Sequence, residues 1–487
     1  MSRPRRLLVG ALGGALLSAG LPPFGWWPLA LAGVAVAALV VQDRPLRARA
    51  GFGMAVGIGF LAPGLFWMTE FSAPGYVLAV LIESAFIAFG LTVAPPGRWS
   101  ALGLTGALVL VEALRGAWPF GGVPIATLAQ TQIGGPLALA SRVGGSLLVA
   151  ALVVLGGTAL AALARGRLVQ GTALAALVGV TAFVGQLAPR GNDGADLEVA
   201  IVQGGGEQGT RASETSERAV FRRHLEASEE VAAGVDLVLW PEDVVDVDGL
   251  VEGTDAAADL AALARRLGTT VVAGVVEGFD DEFRNASVAW GPDGEVVARY
   301  DKNVRVPFGE YIPFRSLIRR VADLSAVPRD AATSDDEPIL SVPPGDLGVM
   351  ISYEVFFPRR ARDAMASGAE VLLAPTNASS YSTGQMPALE LGAARMRALE
   401  TGRVVLQAAP TGYSAVVGPD GSVRQVSDLG APDALAATVA GRSGRTPYTR
   451  LGDGPFVVGA AAALAVAWAV HSKRRTAPDT TPVGAPI

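Results

Sequence analysis

The chain has 487 residues, which is enough for two or three domains, and a formal net charge of −6. This acidic balance, without any stripe of basic and aromatic residues, argues against a nucleic-acid partner. The chain has no cysteine, which excludes disulfides, cysteine-ligated zinc and thiol redox chemistry. Its two histidines, His224 and His471, have no neighbour at metal-ligand spacing, so we expect neither a metal nor another cofactor.

Charge divides the chain into two parts. Residues 1–190 contain four acidic and twelve basic side chains, whereas residues 191–487 contain 41 acidic and 27 basic ones. The mean hydropathy of +0.40 is high for a soluble protein, and the apolar excess lies in the first part. We therefore expect a membrane domain at residues 1–190 and a globular domain at residues 191–445.

A transmembrane helix needs ~20 mostly apolar residues, and the first part contains seven such stretches. They lie near residues 7–21, 26–42, 52–69, 74–94, 100–115, 137–163 and 169–188, and a final span is predicted at 454–472. The first stretch follows three arginines, as in a signal peptide, but further spans follow at once and favour a retained helix. The remaining residues, 473–487, are expected to form a disordered cytoplasmic tail.

Basic residues mark alternate loops between these stretches. They precede the first stretch and follow the second, fourth, sixth and eighth: Arg3, Arg5, Arg6, Arg44, Arg47, Arg49, Arg98, Arg165, Arg167, Lys473, Arg474 and Arg475. By the positive-inside rule, both termini are predicted in the cytoplasm and residues 191–454 outside. Glu112 and Arg115 end the fifth stretch, and they are either functional groups at membrane depth or residues that face the interface.

From about Leu197, short β-rich runs alternate with helices. Strands are predicted at 197–203, 235–240, 269–276, 287–290, 295–300, 347–351, 371–374, 404–408 and 413–417, and helices at 213–233, 256–267, 359–367 and 387–401. Two Gly-Pro-Asp-Gly sequences, at 291–294 and 418–421, indicate hairpin turns. The pattern predicts a mixed sheet covered by helices.

Three polar residues follow predicted strands in this part. Glu242 ends the Trp-Pro-Glu segment after one strand, Lys302 follows the 291–294 hairpin, and Ser352 lies between a strand and a helix. Acyl transfer requires a nucleophile, a base for its proton and a positive charge for the tetrahedral oxyanion. Glu242 fits the base and Lys302 the positive charge, although each residue type is also common on the surface beside a strand.

These segments resemble the carbon–nitrogen hydrolase (nitrilase) superfamily, and with the membrane helices nearly the whole chain is similar to its membrane-bound apolipoprotein N-acyltransferases. The matching segments are Trp240–Glu242, Tyr300–Lys302 with Val306–Pro313, Ile351–Glu354, and the helix Arg395–Arg403. The resemblance implies an α/β nitrilase-like sandwich (αββα) on a polytopic α-helical membrane domain. The sequence departs from the family at Thr376–Ser379, where many members carry Asn-Asp and an aromatic residue.

The second departure is Ser352, which stands where the family has its nucleophilic cysteine. The resemblance implies a site of Glu242, Lys302 and Ser352, supported by Glu310, Tyr353 and Glu354, although salt bridging or core packing also accounts for the last three. A serine hydroxyl is a much weaker acid than a thiol, and serine nucleophiles usually rely on histidine. Three interpretations stay open: a working serine nucleophile, a natural relative with altered function, or an engineered replacement of cysteine.

The resemblance implies an acyltransferase that moves a fatty acyl chain from phospholipid to the α-amine of a lipoprotein's diacylglyceryl-cysteine through a covalent acyl-enzyme. It implies a monomer in the bacterial inner membrane, with the catalytic domain outside and the loops near Phe308–Phe314 and Tyr381–Pro387 bordering an acyl-chain cleft. The alternatives are a membrane-anchored amide hydrolase, whose site would open to water, and a lipid or lipoprotein binder that keeps the pocket and has lost turnover.

Overall fold

The computed structural model describes the chain except residues 43, 98, 207–216, 321–322, 326, 380–383 and 477–487, and except the side chains of 474–476. The predicted tail beyond residue 476 lies outside the described residues. So do Arg98, the side chains of Arg474 and Arg475, and the beginnings of the predicted 213–233 helix and 381–387 loop.

The first part of the chain is helical. Its helices are α1 (Arg3–Ser18), α2 (Trp27–Val41), α3 (Leu46–Gly64), α4 (Met68–Phe71), α5 (Ala73–Val93), α6 (Ser100–Arg115), α7 (Ser141–Ala164) and α8 (Leu168–Leu187). Apart from the short α4, these helices lie at the seven stretches predicted to span a membrane. Among the described residues, four helical segments are long and apolar enough to cross a bilayer on their own: Ala73–Val93, Pro136–Ala164, Leu168–Leu187 and Gly454–Lys473.

The sixth predicted span is not one continuous helix. It begins as a 3-10 turn at Pro136–Ala140, and the helix geometry breaks at Gly144 and Gly145, where Gly145 has φ +62°. A Cβ atom at Gly145 would lie 2.3 Å from the ring of Tyr448, which follows the last strand of the β-rich part of the chain. The break thus lets an aromatic ring of the β-rich part pack against the helix backbone.

Glu112 and Arg115 do not face the interface. Arg115 is fully buried and Glu112 is nearly so, and the Arg115 guanidinium lies 2.5 Å from a carboxylate oxygen of Glu83 and 2.8 Å from one of Glu112. Arg115 also donates to the Ile125 carbonyl at 3.1 Å, and Glu112 accepts from the Leu128 backbone N–H at 2.9 Å. The buried charges therefore hold the loop after α6 against helices α5 and α6.

The β-rich part of the chain, from Asn192 to Ser443, contains two β-sheets. Its strands are β1 (Asn192–Gln203), β2 (Leu237–Leu239), β3 (Val245–Asp248), β4 (Thr270–Gly278), β5 (Glu282–Trp290), β6 (Val296–Asp301), β7 (Asp330–Ala331), β8 (Ile339–Val342), β9 (Gly345–Val349), β10 (Val371–Pro375), β11 (Val405–Ala408), β12 (Ala415–Val417), β13 (Val423–Val426) and β14 (Asp433–Ser443). One sheet has the order β14-β1-β2-β4-β5-β6, with β3 paired to β4 and β7 to β5, and the other has the order β13-β12-β11-β10-β9-β8.

Helices α9 (Glu217–Ala227) and α10 (Asp255–Leu267) cover the outer face of the first sheet, and α12 (Pro358–Ala366) and α13 (Gln385–Thr401) cover that of the second. The short α11 (Arg315–Ile318) buries no residue, α14 (Pro447–Leu451) packs against α7, and α15 (Gly454–Thr476) returns to the membrane part. Side chains such as Ile201, Leu239, Val349 and Leu373 fill the space between the sheets. The predicted αββα sandwich is therefore confirmed.

The two helical layers have different surroundings. Helices α9 and α10 pack on the first sheet in a separate apolar cluster. Helices α12 and α13 pack on the second sheet in a cluster that continues into the membrane helices. The face of the sandwich that carries α13 is therefore the face that meets the membrane part.

Five strands were not predicted, namely β3, β7, β8, β13 and β14, and two strands, β1 and β5, begin earlier than predicted. Strand β14 was not predicted, because its alanine-rich sequence has low strand propensity and it forms by pairing antiparallel with β1. Strand β1 begins at Asn192 rather than Leu197, because residues 192–196 pair with the end of β14. Pairing between segments 240 residues apart leaves no local signature in the sequence.

Helices α1 and α3 cross in close contact through glycine. A Cβ atom at Gly59 would lie 2.1 Å from the carbonyl oxygen of Ala11, whereas one at Gly51, on the same helix, would have its nearest neighbour at 4.0 Å. We predict that Gly59→Ala forces the helices apart and lowers the thermal unfolding temperature in detergent, at a cost of about 1–3 kcal/mol. The control Gly51→Ala should unfold like the wild type, and equal stability of both variants would contradict this packing.

Candidate active site

Lys302 lies at the centre of a buried charge cluster. It follows β6, and its backbone N–H donates to the Asn285 carbonyl on the neighbouring β5 at 2.8 Å. Its Nζ atom lies 2.8 Å from Glu242 Oε1 and 2.7 Å from Glu310 Oε1, and the Lys302 side chain is 3% exposed. Asn285 Nδ2 donates to the same two carboxylates at 2.8 and 3.2 Å. The Lys302 ammonium group and the Asn285 amide therefore share the Glu242 and Glu310 carboxylates as hydrogen-bond acceptors.

Glu242 is positioned by the first sheet. It follows β2, and a glycine on the adjacent β4, Gly274, donates its N–H to the Pro241 carbonyl at 3.0 Å. A Cβ atom at Gly274 would lie 2.4 Å from that oxygen and 2.6 Å from the Glu242 Cα. Only glycine fits at this position, so Gly274 allows the chain to turn the Glu242 side chain toward Lys302.

Ser352 occupies a left-handed position directly after the second sheet. It begins a 3-10 turn, Ser352–Phe356, two residues beyond the end of β9, and its φ is +49°. Such a conformation is costly for a residue other than glycine and is typical of functional sites. Ser352 is 9% exposed, so its hydroxyl is enclosed without being fully sealed.

Glu354 joins the Ser352 turn to the Lys302 segment. Its Oε1 accepts from the backbone N–H groups of Asn303 and Val304, each at 3.0 Å, and its Oε2 accepts from the Ile351 N–H at 2.9 Å. Tyr300, two residues before Lys302, donates its hydroxyl to the same carboxylate at 2.9 Å. The buried Glu354 carboxylate thus holds the Tyr300–Val304 segment, which contains Lys302, next to the turn that contains Ser352.

Tyr353 connects this turn to the membrane part. Its hydroxyl donates to the Gly122 carbonyl at 2.9 Å, in the loop that follows α6, and its ring lies 5.0 Å from the Phe357 ring. Tyr353 therefore packs in the core and also makes a directed hydrogen bond. The residue beside Ser352 is in this way tied to the loop that the buried Arg115 cluster holds.

Sequence reasoning missed three polar groups that lie around the cluster: Asn285, Asp243 and Glu390. Asn285 is a 4% exposed amide inside a strand, an unusual place for asparagine and the one available signal for it. Asp243 has φ +55°, and its Oδ2 accepts from Asn377 Nδ2 at 3.4 Å. Glu390 comes from α13, and no local pattern marks it.

His224, in contrast, is buried against Trp240 in the α9 layer, with a ring separation of 5.5 Å.

The electrostatics of the cluster are set by burial and mutual charge. Burial alone would lower the pKa of Lys302, but the Glu242 and Glu310 carboxylates raise it above its usual value, so the amine stays charged. Burial and the charge of Glu242 raise the pKa of Asp243 well above its usual value. Burial likewise raises the pKa of Glu390 to about 8. The cluster offers a fixed cation and a carboxylate base, and Glu354 links the Lys302 segment to the turn that bears Ser352.

The carbon–nitrogen hydrolase family model matches residues 198–448, which include the whole cluster and more than half of the chain. The chain belongs to the carbon–nitrogen hydrolase family. A second model, the apolipoprotein N-acyltransferase N-terminal domain, matches residues 13–159. A carbon–nitrogen hydrolase domain is therefore joined to the helical part that this second model describes.

Curated relatives match along almost the whole chain. The apolipoprotein N-acyltransferase of Mycolicibacterium smegmatis is 29% identical, over 91% of this chain and 82% of its own. That of Azotobacter vinelandii is 29% identical, over 97% of this chain and 96% of its own. A crystal structure of a Saccharomyces cerevisiae nitrilase-superfamily member covers 52% of this chain and 92% of its own, with 18% identity and a TM-score of 0.39.

We predict that Glu354→Gln breaks the connection between the two segments. The Gln amide would present donors to backbone N–H groups that now meet a carboxylate, at a cost of about 2–4 kcal/mol in the free energy of unfolding. Thermal unfolding in detergent measures this loss, and we expect catalytic activity to fall with it. The exposed Glu337, changed to Gln, is the matched control. An unchanged unfolding temperature of Glu354→Gln would contradict the structural role.

Proposed function

We propose that this protein is an apolipoprotein N-acyltransferase that moves an acyl chain from a membrane phospholipid to the α-amine of a diacylglyceryl-cysteine. The observation that carries the proposal is the position of the cluster at the boundary with the membrane helices. The turn that bears Ser352 is bonded through Tyr353 to the loop after α6. Two lipid substrates held in one leaflet require such a place, whereas a soluble substrate does not.

In this proposal Ser352 is the nucleophile and Glu242 is its base. Glu242 takes the hydroxyl proton as Oγ attacks the ester carbonyl, and Lys302 stabilises the oxyanion. Collapse breaks the bond to the lysophospholipid oxygen, which receives the proton from Glu242, and leaves an ester on Ser352. Glu310 holds Lys302 in place by pairing with its amine, and Asn285 holds Glu242 and Glu310 in place by donating to both carboxylates.

An aromatic rim supports a lipid substrate over a water-soluble amide. Phe120, from the loop after α6, makes edge contacts with Phe308 at 5.9 Å and with Phe314 at 6.2 Å. Phe314 is 72% exposed, and Trp118 beside them is 59% exposed. Large exposed apolar side chains at the boundary of a membrane domain suit contact with acyl chains and headgroups. The segment 380–383, assigned to the same rim, lies outside the described residues.

The covalent intermediate tests the assigned nucleophile. Incubation with phospholipid alone should give an acyl adduct at Ser352 by mass spectrometry, and Ser352→Ala should give none. Ser352→Cys should raise turnover, because a thiol ionises more readily and a thioester reacts faster with an amine. Each tenfold change corresponds to ~1.4 kcal/mol of barrier. Transfer that survives Ser352→Ala would rule this residue out. Activity that appears only in Ser352→Cys would identify a catalytically impaired relative.

We further propose that the chain acts as a monomer in the bacterial inner membrane, with the hydrolase domain outside. The loop charges support this orientation, and one chain supplies every group of the cluster. Because the sequence has no cysteine, single cysteines need no background substitutions. Asp281→Cys, at an exposed site of the hydrolase domain, should react with an impermeant maleimide on intact spheroplasts, and Arg47→Cys should react only after lysis. The reverse result would invert the topology.

A further inference from the structure

A second carboxyl group lies in the site and has no role in the steps above. Glu390 is on α13, which packs against the 3-10 turn that carries Ser352, and it is 2% exposed. Thr376, directly after β10, lies beside its carboxyl group. Strands β9 and β10 are parallel neighbours, so Ser352 and Thr376 follow them at the same edge of the sheet. Glu390 therefore approaches this edge from α13, whereas Glu242 comes from the first sheet.

The surroundings of Glu390 contain buried oxygen acceptors. Within the described residues, Glu390 Oε2 has no hydrogen-bond partner apart from the nearby Thr376 hydroxyl, and Asn285 Oδ1 and Asp243 Oδ1 are also buried without one. The charged groups that face Glu390 are Glu242 and Lys302, and the Lys302 amine is already bonded to Glu242 and Glu310. Buried acceptors are normally satisfied. A cationic group with several N–H donors fits these acceptors.

The second half-reaction supplies such a group. An α-amine with a pKa of ~8 reaches the enzyme mostly as an ammonium ion with three N–H bonds. When its nitrogen attacks the Ser352 ester, the C–N bond forms and the C–Oγ bond breaks. One proton stays on the amide nitrogen, and a second returns to Ser352 Oγ through Glu242. The third proton has to leave the nitrogen before attack. Glu242 cannot hold the second and the third proton at the same time.

We propose that Glu390 is the catalytic carboxylate that binds the acceptor's α-ammonium group and removes this third proton. On pairing with the ammonium ion, Glu390 releases its own proton to water. It then accepts one proton from the nitrogen, which frees the lone pair for attack. The assignment rests on the proposed acyltransferase function, and it gives the two half-reactions separate bases: Glu242 for Ser352 and Glu390 for the acceptor amine.

The charge state of Glu390 agrees with this role. Burial raises its pKa to about 8, so the free site holds a neutral acid. That value is close to the ~8 of an α-amine, and proton transfer between groups of matched pKa is efficient. A nearby ammonium ion favours the carboxylate, so ionisation of Glu390 coincides with acceptor binding.

Single-turnover kinetics of Glu390→Gln test the proposal. The acyl-enzyme is formed first with phospholipid alone, in the wild type or in Ser352→Cys, and a synthetic diacylglyceryl-cysteinyl peptide is then added. We expect adduct formation within about twofold of the parent. At pH 7 only about a tenth of an amine with pKa ~8 is neutral, so aminolysis should slow about tenfold. At pH 9 most of the amine is neutral, and the defect should nearly disappear.

Glu400→Gln is the matched control. It removes another fully buried carboxylate of α13, one that binds Arg397 and Ser146 rather than the site. Any loss through misfolding should reduce both half-reactions alike at both pH values. Normal aminolysis by Glu390→Gln at pH 7, or a defect that persists at pH 9, would overturn the role of Glu390. Absence of any adduct in both parents would instead overturn the acyltransferase function itself.

Discussion

The site depends on one constraint, which is the burial of a charged lysine. A desolvated ammonium group is very costly unless carboxylates surround it, and Lys302 has Glu242 and Glu310 within 2.8 Å. These three residues come from the ends of β2 and β6 and from the loop after β6. To bring them together, β2 and β6 have to lie in one sheet with β4 and β5 between them, and Gly274 has to admit the Glu242 backbone. The charge cluster thereby constrains the order of the first sheet.

The second sheet is coupled to this cluster by hydrogen bonds rather than by ion pairs between the proposed catalytic groups. Glu354 binds the two backbone N–H groups that follow Lys302 and the one that precedes Ser352. Because backbone groups cannot change rotamer, the spacing between the two segments is held more tightly than side-chain pairs alone would hold it. Tyr353 then extends the same connection to the loop after α6. The turn that carries Ser352 is therefore tied to the helical part of the chain as well as to Lys302.

The sequence indicates local turns and strand ends well, but it indicates little about which distant segments pair as strands. The hairpin between β5 and β6 follows from Gly291–Gly294, because a turn with φ +84° at Gly294 requires glycine. The αββα class and the candidate residues Glu242, Lys302 and Ser352 were predicted from their order and their family resemblance. Strand β14 was not predicted, because it depends on a partner 240 residues away. Glu390 and Asn285 were missed for a related reason: only the packing of α13 and the register of β5 turn them toward Lys302.

The charge balance of the site bears on how the two proposed substrates would fit it. Lys302 is paired with the Glu242 and Glu310 carboxylates, and burial raises the pKa values of Asp243 and Glu390, so these two groups add little negative charge. In the proposed reaction, a cluster rich in carboxyl groups disfavours the phosphate of a phospholipid headgroup, so the headgroup would stay outside while the ester carbonyl enters. The same cluster favours a cationic amine, which suits the proposed acceptor.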